Sequence, residues 1–271
     1  MTAATIEPSA GVPARQRSSL LRFLAHSLVI ARRNLITLVR MPEIIVFAAI
    51  QPIMFVLLFR YVFGGAIAVQ GISYVDFLVP GIVVQMVAFN CFGTALGVNE
   101  DANKGLLDRL RSLPMSRSAF LTGRIMADTV RVIFSIVLLT IVGYLVGFRV
   151  QTGIAPALLA FVLATGFGVA FCWIGAFIGL AIRSPEAVQS GGFIWLFPLT
   201  FISSAFAPPE TMPGWLQAFV EVNPVTRVVD ALRALLLGFP ARDDVIASIA
   251  WILGIGIVFS VLAVRQYRKL T

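Results

Sequence analysis

Residues 156–182, PALLAFVLATGFGVAFCWIGAFIGLAI, form an apolar run without a single charged side chain. A helix needs about 20 apolar residues to cross roughly 30 Å of hydrocarbon, because each residue adds about 1.5 Å along the helix axis. This run exceeds that length and can cross the bilayer with a tilt. It therefore predicts a transmembrane helix.

The composition of the whole chain agrees with a membrane location. Hydrophobic residues make up 59% and charged residues 13% of the sequence, whereas about 25% of residues are charged in soluble domains. The mean hydropathy is +0.93. The net charge of +8 therefore has to be interpreted from where Arg and Lys lie relative to the predicted spans. We expect no nucleic-acid partner.

Apolar stretches of sufficient or nearly sufficient length predict an all-α integral membrane fold with six transmembrane helices. The predicted spans are residues 44–63, 78–98, 130–148, 156–182, 190–207 and 245–264. The fifth span is short and contains Pro198, which leaves open whether it is one continuous helix.

The distribution of basic residues predicts the orientation of the chain. Most of the 21 Lys and Arg residues lie before the first span, in the second loop and its margin, or in the tail. Basic residues near span ends are retained on the cytoplasmic side. We therefore expect a multi-pass protein of the inner or plasma membrane, with both termini in the cytoplasm.

The N-terminal region divides into two parts ahead of the first span. Residues 1–19 lack the apolar core of a signal peptide and predict a disordered cytosolic lead. Residues 20–271 form the predicted membrane domain. Its first segment, residues 20–39, mixes leucines with arginines and predicts an amphipathic helix in the inner membrane interface.

The residues that most enzymes require are scarce. His26 is the only histidine, and Cys91 and Cys172 fall inside predicted spans, so we assign no catalytic residue and no metal site. Neither lysine, Lys104 nor Lys269, follows a glycine, so the chain has no Walker A loop for ATP. We expect no cofactor on this chain.

Polar residues within the predicted spans are few. Gln85 and Asn90 are expected to form interhelical hydrogen bonds or to line a substrate path, and we assign Trp173 and Trp195 to the same candidate path. Asp128 lies at a predicted span margin, where hydration argues against a proton relay. The span centres contain no carboxylate or base, so the energy for transport is expected to come from elsewhere.

The loop after the second span, NEDANKGLLDRLRSLPMSR at residues 99–117, is a charged island in an apolar chain. A short cytosolic helix is predicted over residues 100–113, because Asn99 can act as its N-cap and Pro114 ends it. Glu100 and Lys104 are four residues apart and are expected to form an ion pair on this helix. Leucines spaced along one face give this helix an apolar stripe. The stripe is expected to pack against the inner leaflet or against another protein.

The segment NPVTRVVDALRALLLG, residues 223–238, predicts a helix before the last span. Asn223 is its predicted N-cap, Pro224 its first residue and Gly238 its stop. Arg227, Asp230 and Arg233 recur every three residues and form a charged row. This row is expected either to pair internally at the headgroup level or to contact substrate as it leaves.

These two motifs, in this order, resemble those of type 2 ATP-binding-cassette (ABC) exporter permeases, in particular the daunorubicin-resistance-like drug-efflux branch. The resemblance implies that the cytosolic loop is a coupling helix that docks on a separate ATPase. The implied docking residues are Glu100, Gly105, Leu106, Arg109, Leu110, Leu113 and Pro114. The second motif is then a re-entrant outer gate, whose residues are Asn223, Pro224, Arg227, Asp230, Arg233 and Gly238.

The resemblance also implies the partners and the activity. ATP and Mg²⁺ would bind to the ABC ATPase subunit, and a second permease copy, identical or paralogous, would complete the membrane part. The chain would not be an enzyme by itself. Apolar spans in contact with membrane lipid favour an amphiphilic or lipid-like passenger, such as a drug or antibiotic, with a glycolipid or polysaccharide as the alternative cargo.

Two other classes of protein are weighed against the exporter. A self-sufficient secondary transporter or channel would show inverted repeats or a buried ionisable group, and a lipid transferase would need an acidic or histidine site at the interface. We detect no repeat, and for such an interfacial site we consider only the exposed pair Asp243 and Asp244 to be available. The sequence favours the exporter.

Overall fold

A computed structural model describes residues 19–40, 42–64, 71–105 and 117–270. Within these ranges the chain is helical and contains no strand, which confirms the predicted all-α class for the described part. The α-helices are α1 (Ser19–Arg40), α2 (Pro42–Leu58), α3 (Tyr74–Asn103), α4 (Arg117–Leu145), α5 (Ile154–Ala181), α6 (Pro185–Phe201), α7 (Gly214–Val222), α8 (Pro224–Leu237) and α9 (Arg242–Leu270). A π-helical turn, Phe59–Phe63, extends α2, and a 3₁₀ turn, Pro209–Thr211, precedes α7.

Among the described helices, four are long and apolar enough to cross a membrane, namely α3, α4, α5 and α9. The other two predicted spans correspond to shorter helices, so the total of six stays a prediction. The first predicted span falls on α2 and the π-helical turn that extends it to Phe63. Helix α6 has 17 residues and is continuous through Pro198, but it ends at Phe201, short of the predicted boundary at residue 207.

Helix α3 lies at the centre of the fold. In the most apolar 18-residue stretch of α3, 78% of the residues are buried inside the protein. In the corresponding stretch of α9 only 6% are buried, so most of α9 faces the surroundings. Helix α3 packs against α4, α5, α6 and α8. Its closest neighbour is α5, because a Cβ on Gly175 or Gly179 would collide with the backbone carbonyls of Cys91 and Ala95. These small residues allow the two backbones to approach.

Helix α1 is confirmed, and it packs along α4. The contact is close where Gly123 of α4 faces Ser27 and Ile30 of α1. The uncovered part of α1 carries Leu28 and Val29 together with Arg32 and Arg33. Its position in the inner interface stays a prediction. The predicted lead over residues 1–19 lies, apart from Ser19, outside the described residues.

The prediction that Asn99 caps a new cytosolic helix at Glu100 is wrong. Helix α3 continues through both residues to Asn103, and Gly105 then takes a left-handed conformation with a φ of 69°. Asn99 is buried, and its side-chain amide donates to the carbonyl oxygens of Gly179 and Ile182 on the last turn of α5. An N-cap would use the side-chain oxygen to accept from a backbone N–H, whereas here the Asn99 oxygen accepts from the side-chain amide of Asn103 at 3.0 Å.

The remainder of the predicted coupling helix lies in residues 106–116, outside the described residues. This range includes Leu106, Arg109, Leu110, Leu113 and Pro114. The predicted Glu100–Lys104 ion pair is confirmed at 2.8 Å, and hydrogen bonding to Glu100 raises the pKa of Lys104.

Candidate functional site

A cavity of about 270 Å³ lies between α2, α3, α4 and α6, and we call it the central cavity. Phenylalanines and side-chain amides line it together with one cation. Its lining residues are Gln51, Pro52, Phe55, Gln85, Met86, Phe89, Asn90, Phe92, Gly93, Leu96, Arg131, Gln189 and Phe193. Apolar walls with a few polar groups are typical of sites for small molecules.

One wall of the central cavity is aromatic. Phe92 of α3 and Phe193 of α6 stack with their ring centroids 4.8 Å apart, and Phe89 lies 5.6 Å from Phe92 and 6.2 Å from Phe193. Phe193 is 42% exposed. The three rings form a polarizable surface against which a flat apolar ligand can pack.

The structure places only two of the four predicted substrate-path residues in this cavity. Gln85 and Asn90 line it, because both lie on the face of α3 between α2 and α6. Trp173 packs against the main hydrophobic core, and Trp195 stacks on Phe171 with 6.3 Å between centroids. Neither tryptophan is among the residues that line the central cavity.

A charge cluster extends from the cavity to the end of α3 next to the 106–116 loop. It consists of Arg33, Asp101, Arg124, Asp128 and Arg131. Asp128 pairs with Arg124 at 3.3 Å and with Arg131 at 3.1 Å, and Asp101 pairs with Arg33 at 2.9 Å and with Arg124 at 3.7 Å. The cluster therefore connects α1, α3 and α4.

The prediction that Asp128 sits at a hydrated span margin is wrong. Helix α4 begins at Arg117, well before the predicted start at residue 130, so Asp128 lies inside the helix and against α3. Only 5% of its side chain is exposed, and Thr94 of α3 donates a hydrogen bond to it at 2.7 Å. Paired charges and hydrogen bonds compensate for this burial.

The sequence contained a signal for this cluster. Arg124, Asp128 and Arg131 are spaced by four and three residues, which places them on one face of a helix. The predicted third span starts at residue 130, which leaves Arg124 and Asp128 in the loop and Arg131 at the span margin. Mutual pairing lets a transmembrane helix begin with charged residues that a hydropathy count excludes.

The central cavity is electropositive at its boundary with the charge cluster. Arg131 is the member of the cluster that lines the cavity. The Arg131 side chain is 18% exposed and that of its partner Asp128 is 5% exposed. Among the described lining residues there is no carboxylate. The charge presented to a ligand is therefore positive.

At the opposite end of α3, helix α8 has the predicted caps. The Asn223 side-chain oxygen accepts a hydrogen bond from the backbone N–H of Val225 at 2.8 Å, and Gly238 ends the helix with a φ of 88°. The Asn223 amide also donates to the carbonyls of Leu199 and Ile202, both at 2.7 Å. One residue thus starts α8 and fixes it to the end of α6.

Arg233, the last member of the charged row, is buried. Its guanidinium lies 3.5 Å above the Phe77 ring, donates to the Phe77 and Ser204 carbonyls at 2.9 and 2.7 Å, and pairs with Asp230 at 3.2 Å. Burial lowers the pKa of Arg233 to about 10, and it raises the pKa of Asp230 above its ordinary value against the opposing effect of Arg233. Arg233 thereby joins α8, α3 and the turn after α6.

The predicted internal pairing of the charged row is only partly confirmed. Arg233 pairs with Asp230, but Arg227 pairs with Asp244 of α9 at 3.5 Å. A second cavity, of about 670 Å³, opens beside these residues, and we call it the distal cavity. Its ionisable lining residues are Glu210, Asp230, Arg233 and Asp244.

Residues 26–237 match the sequence model of the family described as ABC-2 type transporter. The chain therefore belongs to the ABC-2 type transporter family, and it is a multi-pass membrane permease. The resemblance inferred from the two sequence motifs is confirmed.

Several relatives within this family are themselves ABC permeases. The chain is 36% identical over 220 residues to the daunorubicin resistance ABC transporter permease protein DrrB1 of Streptomyces coeruleorubidus, an alignment that covers 81% of this chain and 78% of that protein. It is 27% identical over 259 residues to the probable doxorubicin resistance ABC transporter permease protein DrrC of Mycobacterium tuberculosis, covering 95% and 93% of the two chains. It is also 22% identical over 181 residues to the probable multidrug ABC transporter permease YbhR of Escherichia coli, covering 66% and 48%.

Proposed function

We propose that the chain is the membrane subunit of an ATP-driven exporter that moves amphiphilic compounds, including drugs or antibiotics, out of the cell. The observation that carries this proposal is the central cavity, which combines an aromatic wall with amide groups and a cation. Such a lining suits a compound with an apolar body and a polar end. The names of the relatives, which refer to drug resistance, support the same cargo class.

The ATPase is proposed to be a separate subunit that binds ATP and Mg²⁺ and docks on residues 106–116. This loop joins α3 to α4, and both helices line the central cavity. A displacement of the loop would therefore act on two cavity walls without passing through another element. We propose that the membrane part contains two permease copies, identical or paralogous.

The proposed orientation places the 106–116 loop and both termini in the cytoplasm. The central cavity then extends from the middle of α3 toward its cytoplasmic end, and the distal cavity lies toward the outside. Substrate would enter the central cavity from the inner leaflet. Helix α8, held by Arg233 and Asn223, would form part of the outer gate.

A secondary transporter is the second candidate, because Asp128 is a buried ionisable residue of the kind such proteins use. Its geometry argues against a proton-carrying role. Two arginines and a threonine hydroxyl already engage the Asp128 carboxylate, and Asp128 does not line the central cavity. Membership in the ABC-2 family also favours the ATP-driven mechanism.

Co-purification with the co-expressed ATPase tests the docking role. Leu110→Asp is expected to abolish association, because it places a charge in the apolar stripe of the loop. Ser112→Asp is the matched control, since it adds the same charge to the same loop but off the stripe by helical spacing. Association that survives Leu110→Asp would remove the proposed docking site.

Transport by inside-out vesicles that contain both subunits tests the cargo. An amphiphilic fluorescent dye is expected to accumulate only with ATP, and inorganic ions are not expected to stimulate ATP hydrolysis. Transport by vesicles that contain this chain alone would instead support the secondary transporter.

A further inference from the structure

We propose that the central cavity selects aromatic amphiphiles whose polar end is anionic, and that Arg131 is the residue that sets this preference. This inference rests on the proposed function, because it assumes that the central cavity is where the substrate binds. It adds the chemical class of the substrate and assigns the selectivity to one side chain.

The hydrogen bonds of Arg131 leave part of its guanidinium available. Nε donates to the Asn90 side-chain oxygen at 3.1 Å, and Nη2 donates to the Asn90 carbonyl at 2.9 Å and to Thr94 at 3.3 Å. Nη2 is also the atom that pairs with Asp128. Nη1 has no hydrogen-bond partner within the part of the chain that the structure describes. An arginine has five N–H donors, so those on Nη1 are available to a ligand.

Gly93 makes room for that free nitrogen. A Cβ built on Gly93 would lie 2.7 Å from Nη1 of Arg131, which is too close for a real side chain. Both residues line the central cavity. The absence of a side chain at position 93 therefore lets the guanidinium lie against α3 and face the cavity.

The remaining polar groups of the cavity do not determine the sign of the ligand charge. Gln51, Gln85 and Gln189 carry neutral amides that both donate and accept hydrogen bonds. They accommodate an anionic, neutral or cationic polar end equally. Arg131 is the only charged group among the described lining residues, so the discrimination rests on it.

The distal cavity has the opposite character. Glu210, Asp230 and Asp244 line it, and the guanidinium of Arg233 is already occupied by Asp230 and backbone carbonyls. An anionic amphiphile would therefore have a partner at Arg131 and would meet carboxylates near the exit. This difference favours binding at the central cavity and release at the distal one.

Equilibrium binding of three pyrene probes with the same aromatic body tests the charge preference. Pyrenebutanoate is anionic, pyrenebutanol is neutral and pyrenebutylamine is cationic. The full chain in phosphatidylcholine nanodiscs would be titrated with each probe, with energy transfer from tryptophan to pyrene as the signal and empty nanodiscs as the blank. We expect the carboxylate to bind at least about tenfold more tightly than the amine, the value for one charge-assisted hydrogen bond.

Arg131→Gln is expected to bring the affinities of carboxylate and amine to within about twofold of each other, while the affinity for the alcohol changes less than about threefold. Arg131→Lys should retain the preference, because it retains the charge. Arg124→Gln is the matched control, since Arg124 pairs with the same Asp128 but does not line the cavity. If Arg131→Gln does not fold, the double variant D128N/R131Q removes both charges of the pair and gives the same readout.

The outcomes separate the two proposals. Binding of the alcohol without a preference for the carboxylate would overturn this inference and leave the proposed function standing. A preference that persists in Arg131→Gln, or that Arg124→Gln abolishes equally, would also overturn it. No binding of any of the three probes to the wild-type chain would overturn both proposals.

Discussion

Arg233→Met tests whether a buried arginine holds helix α8 in place. The substitution keeps a long side chain but removes hydrogen bonds to the Phe77 and Ser204 carbonyls and the ion pair to Asp230. Each lost buried hydrogen bond costs about 1–1.5 kcal/mol, and the lost stacking over the Phe77 ring costs about 1 kcal/mol. Asp230 is 34% exposed, so water replaces part of its lost partner. We expect a total loss of about 3–5 kcal/mol.

Arg227→Met is the matched control for this prediction. Arg227 lies on the same helix and pairs with a carboxylate, Asp244, but its side chain is 39% exposed and the pair is 3.5 Å apart. Exposed pairs contribute at most about 1 kcal/mol. Thermal unfolding in detergent, followed by the fluorescence of the four tryptophans, compares the two variants. At about 2–4 °C per kcal/mol, Arg233→Met should lower the Tm by roughly 10 °C and Arg227→Met by less than about 4 °C.

A double variant distinguishes the cost of the unpaired carboxylate from that of the lost backbone contacts. Adding Asp230→Asn to Arg233→Met removes the charge that has lost its partner, so it should recover about 1 kcal/mol. Equal losses in Arg233→Met and Arg227→Met would refute the reasoning, because burial would then make no difference to the contribution of the arginine.

Two further predictions concern packing. Gly179→Ala should lower the Tm, because its methyl group would collide with the Ala95 carbonyl on α3, at a cost of about 1–3 kcal/mol. Gly254→Ala, at a position with no atom within 4 Å, should leave the Tm unchanged or raise it by the helix propensity of alanine, up to about 1 kcal/mol. Cys91 and Cys172 are both buried, so maleimide should label neither in the folded chain and both after denaturation, as measured by intact mass. Labelling of the folded chain at the denatured rate would contradict the packing of α3 against α5.

Features that depend on local chemistry were predictable from the sequence. The caps of α8 follow from Asn223, Pro224 and Gly238, because an Asx side chain, a fixed φ and a left-handed glycine each act within a few residues. The Glu100–Lys104 pair is also local, since one turn of helix brings the two side chains together. The long apolar helices follow from length and hydropathy alone.

Features that depend on tertiary contacts were missed, for a common reason. Asn99 is a residue type that often caps helices, but its amide donates to carbonyls 80 or more residues away in the sequence. Asp128 has two arginine partners on its own helix, but its burial comes from packing against α3, where Thr94 donates to it. The local conformational preference of a residue is a weak guide to its role wherever another helix supplies its hydrogen bonds. The central cavity shows the same limit. Gln85 was found by its polarity within a span, whereas Gln189 became a candidate only when α6 was seen to pack beside α3.

The packing of α3 suggests how a push on the 106–116 loop would reach the central cavity in the proposed exporter. Helix α3 leads directly into the loop, and the carbonyl contacts at Gly175 and Gly179 fix it against α5. Asn99 strengthens this junction at the end nearest the loop. Close backbone packing resists sliding, so α3 and α5 are expected to move as one body. Helices α2, α4 and α6 form the remaining walls of the central cavity. In the proposed exporter, α2 and α6 would change their position relative to that body, and this change would alter the shape of the cavity around the substrate.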